Sequence, residues 1–394
     1  MSLVGQPVTI IGAGVAGLAA ARALALRGAA VTVLEQADAI REVGAGLQIS
    51  PNGACVLRGL GLQYELDAAS LRADAVQLVD GPTDEGVTRL DLARLRPGQG
   101  YHFLHRADLI EMLLTGATEA GVTLQLLSKV ETVDLSGPHP VVVLEGGERI
   151  EAPLLIGADG LHSHTRAALN GPETPFFTQQ VAWRAVIPCE PGAAPVAEVH
   201  MGPRRHLVSY PLRGGTLRNI VAVEERDRWA GESWTLRDDT IDLRLAFEGF
   251  SPRVRGWLDQ VEDPWLWGLF RHSVAETWAR PMGQGGVAIL GDAAHPTLPF
   301  LAQGASMGLE DAWVLADALA RHDTVAAALA AYQAARKPRT TRTVAAANAN
   351  ARAYHLSGLT RMVGHTGLRL LGRFSPGAML SRFDWLYDHD VTQG

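Results

Sequence analysis

Val8-Thr9-Ile10-Ile11-Gly12-Ala13-Gly14-Val15-Ala16-Gly17 sets a short apolar run directly before a GxGxxG motif, and a helical Ala/Leu stretch follows to about Arg27. Gly28 then ends the helix and a second strand runs over residues 30–34, so the opening of the chain reads as a β-α-β unit. Gly12, Gly14 and Gly17 allow a tight turn and the close approach of a pyrophosphate to the helix start, with Ala16 inside the same turn. Amides and dipole at that helix start stabilise negative charge. Glu35 ends the second strand 18 residues after Gly17, where an acid accepts hydrogen bonds from ribose hydroxyls. This motif alone does not distinguish FAD from NAD.

The composition of the 394-residue chain limits what surrounds this unit. It is 47% hydrophobic and 20% charged, enough for a large core and two or three domains. Formal net charge is −7, and Lys occurs only at Lys129 and Lys337, the other basic residues being scattered Arg that build no stripe for nucleic acid. Cys55 and Cys189 lie in no metal-ligand spacing, so no metal site is expected, and two buried thiols in a reducing compartment are favoured over a lone disulfide. The apolar residues 8–26 lack a basic leader and are cut by Gly12, Gly14, Gly17 and Arg22, which argues against a signal or a membrane span. A cytoplasmic protein without stable membrane association is expected.

Further along, helical signal returns at 52–60 and 106–120, and residues 124–127, 141–144 and 153–157 read as strands. Short strands at 181–187, 196–201, 206–212 and 219–223 predict a second, mostly antiparallel sheet. Helical patterns at 238–247 and 254–260, a buried strand at 287–290, and nearly continuous Ala-rich helix from 307 to 354 complete the reading. Basic residues between Arg336 and Arg352 have varied spacing and read as a solvated helix face. Two more motifs follow buried strands: Ala158-Asp159-Gly160, with Ser163 and Arg166 behind it, and Gly291-Asp292-Ala293-Ala294-His295-Pro296. Beyond the latter lie Pro299, Gln303-Gly304-Ala305 and Glu310-Asp311. An Asp just past a strand can hold ribityl hydroxyls, and the amides of Gly304 and Ala305 at a helix start suit negative charge on a flavin ring.

In this order and spacing the three motifs resemble the FAD-dependent aromatic hydroxylases, class A flavoprotein monooxygenases with the para-hydroxybenzoate hydroxylase fold. The likeness runs through Trp385-Leu386-Tyr387, and the strings around Gly291 and Phe300-Leu301-Ala302-Gln303 look most like the salicylate and 3-hydroxybenzoate branch. It implies an α/β fold: a discontinuous Rossmann-like FAD domain (1–72, 100–177, 276–340), an inserted β-sheet substrate domain (73–99, 178–275), and a C-terminal helical segment (341–394). By position, Gly12, Gly14, Ala16, Gly17, Glu35, Arg41, Arg106, Asp159, Asp292, Gly304 and Ala305 would hold FAD. Arg106 reads otherwise as a charge at a helix start, Asp292 as a helix cap, and His295 as a packed residue of its motif rather than a catalytic one.

His206, Val208 and Tyr210 share one face of a strand, with His206 and Tyr210 about 13 Å apart at about 3.3 Å per residue. They should therefore not bond to each other but reach toward opposite ends of a ring lying over the sheet. The hydroxylase branch carries a His and a Tyr at this spacing, which makes them the catalytic candidates; packing under the sheet is the alternative. Gln48 in the loop 44–52, Arg184 beside Trp183, Pro299 and Gln303 are the substrate-binding candidates, Arg184 equally suiting a structural ion pair. The resemblance implies NAD(P)H-dependent hydroxylation of a small aromatic acid of the hydroxybenzoate or salicylate type through a flavin C4a-hydroperoxide. Alternatives are an N-heteroaromatic or larger polycyclic substrate, or an FAD oxidoreductase that inserts no oxygen. Partners would be the aromatic substrate, O2 and transient NADH or NADPH; a homodimer is admitted.

Overall fold

The computed structural model describes residues 2–40, 45–226 and 238–393. Its first layer is a six-stranded sheet in the spatial order Ala279–Met282, Gly285–Ile289, Leu154–Gly157, Pro7–Ile11, Ala30–Leu34, Thr123–Gln125. All pairings are parallel except the first, as expected for strands joined by helical crossovers. Register decides the placement of the motifs. Ile11 pairs with Gly157, and Gly157 with Ile289. The three strands therefore end level, and Gly12, Ala158-Asp159 and Gly291-Asp292 emerge side by side at their carboxyl ends, where open α/β sheets bind ligands.

Close packing fixes these turns. Gly12 has φ +100°, and a Cβ there would stand 2.4 Å from the carbonyl oxygen of Ala158. A Cβ on Gly17 would stand 2.0 Å from the carbonyl oxygen of Gly12. Gly14, by contrast, faces open space. The helix Val15–Ala25 packs its Leu18, Ala21 and Leu24 side against the sheet and the helix Gly304–Arg321 in one core.

The second layer is a seven-stranded sheet in the order Trp265–Arg271, Phe176–Pro188, Leu217–Glu225, Arg205–Leu212, Val196–Gly202, Ala75–Asp80, Gly86–Asp91. Only Val196–Gly202 with Ala75–Asp80 is parallel. Leu207, Ile220 and Trp183 point to one face and bury against Phe247, Val254 and Trp257 of two short helices. Strand alternation sends His206, Val208 and Tyr210 to the other face, toward the first layer and the C-terminal helices. A small sheet of Gly46–Ile49, His102–His105 and Leu71–Arg72 bridges the layers.

The Ala-rich region is two helices, Gly304–Arg321 and Val325–Tyr354, broken at 322–324, where the Thr324 hydroxyl accepts from the Ala327 amide at 3.2 Å. One expectation for this region is wrong. Arg336 is not on a solvated face; it is 1% exposed, bonded to Glu310 (2.5 Å) and Asp311 (2.7 Å). Two buried carboxylates on the neighbouring helix require a cation, and the Ala face lets one reach them. Both thiols are free, but only Cys55 is buried and Cys189 is half-buried. Burial, with Asp390 alongside, pushes the Cys55 thiol up to about 12. Among the described residues no helix is long and apolar enough to cross a membrane, and no cluster of His, Cys, Asp or Glu could hold a metal ion.

Candidate active site

The level strand ends build one side of a cleft. Glu35 accepts from the Ala13 amide (2.8 Å) and the Ala37 amide (3.0 Å), so the acid that ends the second strand also shapes the glycine turn. Ala16 touches Gly291 and Gly308, where a Cβ would come within 2.9 and 3.0 Å of its methyl group; small residues let the three segments meet. The Asp159 carboxylate accepts from the Ser163 hydroxyl (2.5 Å) and from the Thr165 amide (3.0 Å), capping the helix His164–Asn170. Behind it buried Arg166 donates to the carbonyls of Ala293 (3.2 Å) and Ser273 (2.7 Å), tying the Asp159 segment to the Asp292 segment.

Asp292 is open to the cleft, yet the protein wall around it desolvates its carboxyl and holds it above the usual range, against the opposing pull of His295 and Arg106. Arg106 opens the helix Arg106–Glu119 with its amide on the Ala45 carbonyl, and its charge is felt both by Asp292 and by Arg184. It thus lies between the flavin-type motif and the second sheet. His295 is buried on Asp311 and against Trp278, as a packed residue of its motif. Arg41 lies outside the described residues.

The residue before Gly304–Arg321, Gln303, makes no side-chain cap bond to the helix start. It is 1% exposed and donates to the Ser50 hydroxyl at 2.8 Å, while Asn52 donates to Gln303 (3.2 Å) and Glu310 (2.6 Å). The structure thus places Gln303 directly before the helix, with its side chain buried on Ser50 and Asn52. Pro299 stands exposed in a short turn before Ala302, whose φ is +52°. The residues fit FAD: a turn that is closed at Gly12 and Gly17 but open at Gly14, an acid at the second strand's end, an acid open to the cleft, and a helix start, uncapped by Gln303, facing the same side.

Across the cleft, Tyr210 is buried with its ring 5.0 Å from Phe103. Burial pushes its phenol above the usual range, opposed by Arg184 and Gln48. Gln48 accepts from the Tyr101 hydroxyl at 2.7 Å. Arg184 donates to the Gly46 carbonyl (2.7 Å) and lies over Trp267 (4.6 Å), while its Nε is buried and has no hydrogen-bond partner among the described residues. Desolvation pushes its guanidinium down to about 10, so it stays cationic at neutral pH. Asn219 also holds this corner, accepting from the Gly46 amide at 2.7 Å. His206 sits at the other end, bonded not to Tyr210 but to His355, with Phe300 and Tyr354 beside its ring. Asn219 and His355 were missed from sequence because each joins the site across more than a hundred residues, without a local motif.

A two-layer α/β protein with a dinucleotide cleft facing a buried Tyr/Arg/His wall is a flavoprotein monooxygenase of the aromatic-hydroxylase class. Residues 6–347 match the family described as FAD binding domain, and the chain belongs to that family. A 3-hydroxybenzoate 6-hydroxylase of Polaromonas naphthalenivorans is 33% identical over 98% of this chain and 96% of its own. A protein of the same name from Klebsiella oxytoca is 34% identical over 90% of each chain. Among solved structures, a salicylate hydroxylase substrate complex superposes with TM-score 0.81 at 23% identity, covering 99% of this chain and 97% of that one. Klebsiella pneumoniae HpxO complexed with FAD and uric acid gives 0.84 at 24% identity, covering 96% and 97%. At these identities the structures establish the fold.

Proposed function

We propose that this enzyme hydroxylates a small phenolic acid, with NADH or NADPH as electron donor and O2 as co-substrate. The observation that carries the reading is the buried wall with His206 and Tyr210 at two ends of one strand face and cationic Arg184 beside Tyr210. Relatives named 3-hydroxybenzoate 6-hydroxylase support the hydroxybenzoate class. FAD, when bound, supplies activated dioxygen after reduction by the nicotinamide. Glu35, Arg106 and Asp292, with the amides at Gly14, Gly304 and Ala305, would hold it, and the Asp159 segment would contribute backbone to the same cleft.

The chain's own task is to orient a ring, exclude water and take a proton. A phenol with a pKa near 10 is a weak nucleophile at neutral pH, so a base at its hydroxyl is needed to raise electron density on the ring. His206 takes that role. Its ring is buried among Phe300 and Tyr354, with Nδ1 held by His355. Tyr210, held neutral by burial, donates a hydrogen bond that orients the ring, and Arg184 with its unpartnered Nε meets the substrate carboxylate. Pro299 and Gln48 close the sides, and Gln303 stands directly before the helix.

His206→Ala should lower the hydroxylation rate by about 100-fold or more while leaving flavin reduction by NADH within a few-fold, as expected for loss of a general base. Tyr210→Phe should chiefly raise KM. Stopped-flow traces that separate reduction from oxygen transfer measure both. Normal hydroxylation by both variants sinks the assignment. The same reading places the enzyme in the cytoplasm, where reduced nicotinamide is available.

A further inference from the structure

His206 does not end in packing. Its Nδ1 lies 2.7 Å from Nε2 of His355, and Nδ1 of His355 lies 2.7 Å from Oε1 of Glu225. The three residues come from the second-sheet strand Arg205–Leu212, the residue closing the long helix Val325–Tyr354, and the end of the strand Leu217–Glu225. Exposure rises along the chain, from 1% at His206 and 8% at His355 to a Glu225 side chain that is 32% exposed. We propose that His206, His355 and Glu225 form a proton relay that carries the substrate's phenolic proton from the buried pocket to the protein surface. The proposal rests on His206 as the base for the phenol; His355 and Glu225 are positioning residues.

Hydrogen-bond chemistry fixes the direction. The Glu225 carboxylate only accepts, so His355 carries its proton on Nδ1 and presents a lone pair at Nε2. That lone pair accepts from Nδ1–H of His206, which leaves the lone pair of His206 on Nε2, free for the phenol. When Nε2 takes the phenolic proton, the proton on Nδ1 of His206 passes to Nε2 of His355. His206 ends neutral, the phenolate keeps the electron pair of the broken O–H bond, and the positive charge rests on His355 beside Glu225. The Nδ1 proton of His355 then passes to Oε1 of Glu225, and the partly exposed carboxyl releases it to water.

The relay answers a physical difficulty. Burial, and secondly the charge of His355, hold the proton affinity of His206 well below the ordinary His value, so a lone His206 would be a poor base. His355 is also depressed by burial, but its hydrogen bond to Glu225 and that carboxylate's charge act the other way, with Arg205 opposing. The groups facing the pair are Tyr354 at the ring of His206 and Arg204 on Glu225 at 3.2 Å; Arg205 and Arg226 both pair with Glu224 next to it. Removing the Glu225 charge removes the main group that favours a proton on His355.

Histidine ring-nitrogen NMR of the FAD-loaded enzyme tests this without substrate, in wild type, Glu225→Gln and Glu225→Asp. The expected result is that Nδ1 carries the proton on both rings and that the two rings titrate together. In Glu225→Gln the midpoint should fall by about one to three pH units, the size of a lost adjacent charge, and Glu225→Asp should restore most of it. The acid limb of the hydroxylation rate should move down by the same amount with a lower plateau, which a merely packed pair would not show. Independent titration of the rings, or an unmoved midpoint in Glu225→Gln, overturns the relay. If His206→Ala loses hydroxylation while the midpoint stays, only the relay fails; if His206→Ala hydroxylates normally, the reading of His206 as base fails as well.

Discussion

Replacing Arg336 with Met should lower stability by about 3–5 kcal/mol, the usual loss when one partner of a buried ion pair is removed. Arg336 bonds both Glu310 and Asp311, each fully buried. Burial alone would raise both carboxyls, yet both are held below the usual range, Glu310 by Arg336 and Arg339, Asp311 by His295 and Arg336. Met would leave Glu310 with Arg339 and Asn52, and Asp311 with His295 and the Gly291 amide. Because Asp311 anchors both Gly291 and His295 around Asp292, flavin retention should fall with stability. Since both folded pKa values are depressed, the network's contribution is complete above about pH 5 and is lost as pH falls through the folded values. Denaturant midpoints for Arg336→Met, with and without added FAD, measure both effects; an unchanged midpoint would refute the network's weight.

The glycine turn should give the second large effect, and it should differ between two neighbouring glycines. Gly12→Ala places a methyl group 2.4 Å from the Ala158 carbonyl oxygen at φ +100°, and neither backbone can move without opening the sheet. That variant should purify poorly folded and without flavin. Gly14→Ala meets nothing within 4 Å in the protein, so it should fold normally. If the pyrophosphate passes against Gly14, it should nonetheless bind FAD about tenfold more weakly or worse, about 1.4 kcal/mol. Flavin fluorescence titration of the refolded proteins separates the two. Equal FAD affinity in Gly14→Ala and wild type would remove the pyrophosphate from this turn.

What the sequence made legible divides along physical lines. The three motif ends could be read because glycines at positive φ and acids past strands leave local marks, and parallel register then brings Gly12, Asp159 and Asp292 together. The strand face of His206 and Tyr210 was legible from period-two alternation. The bonds that orient the site were not. Ser50, Asn52, Gln303 and Glu310 meet across some 250 residues, and no local spacing encodes such a meeting. The burial of Arg336 left one usable sign: Glu310 and Asp311 sit in a helix with apolar neighbours on every side, and buried acids need a cation. His355 left none, because a single His after an Ala-rich helix reads as an ordinary terminus. The strand Ala75–Asp80 and the edge strand Gly86–Asp91 beside it were also unmarked, since neither alternates cleanly between buried and open positions and the turn at 81–85 interrupts them.

Mass analysis of the product formed under isotopically labelled O2 tests the central claim most directly. The FAD-loaded enzyme is given NADH and, in turn, a series of hydroxybenzoates and hydroxypyridine carboxylates. At least one hydroxybenzoate is expected to stimulate NADH oxidation and gain one labelled oxygen atom on the ring, and Arg184→Gln to raise the KM for that acid. NADH consumed with every compound while all the oxygen leaves as hydrogen peroxide would contradict it.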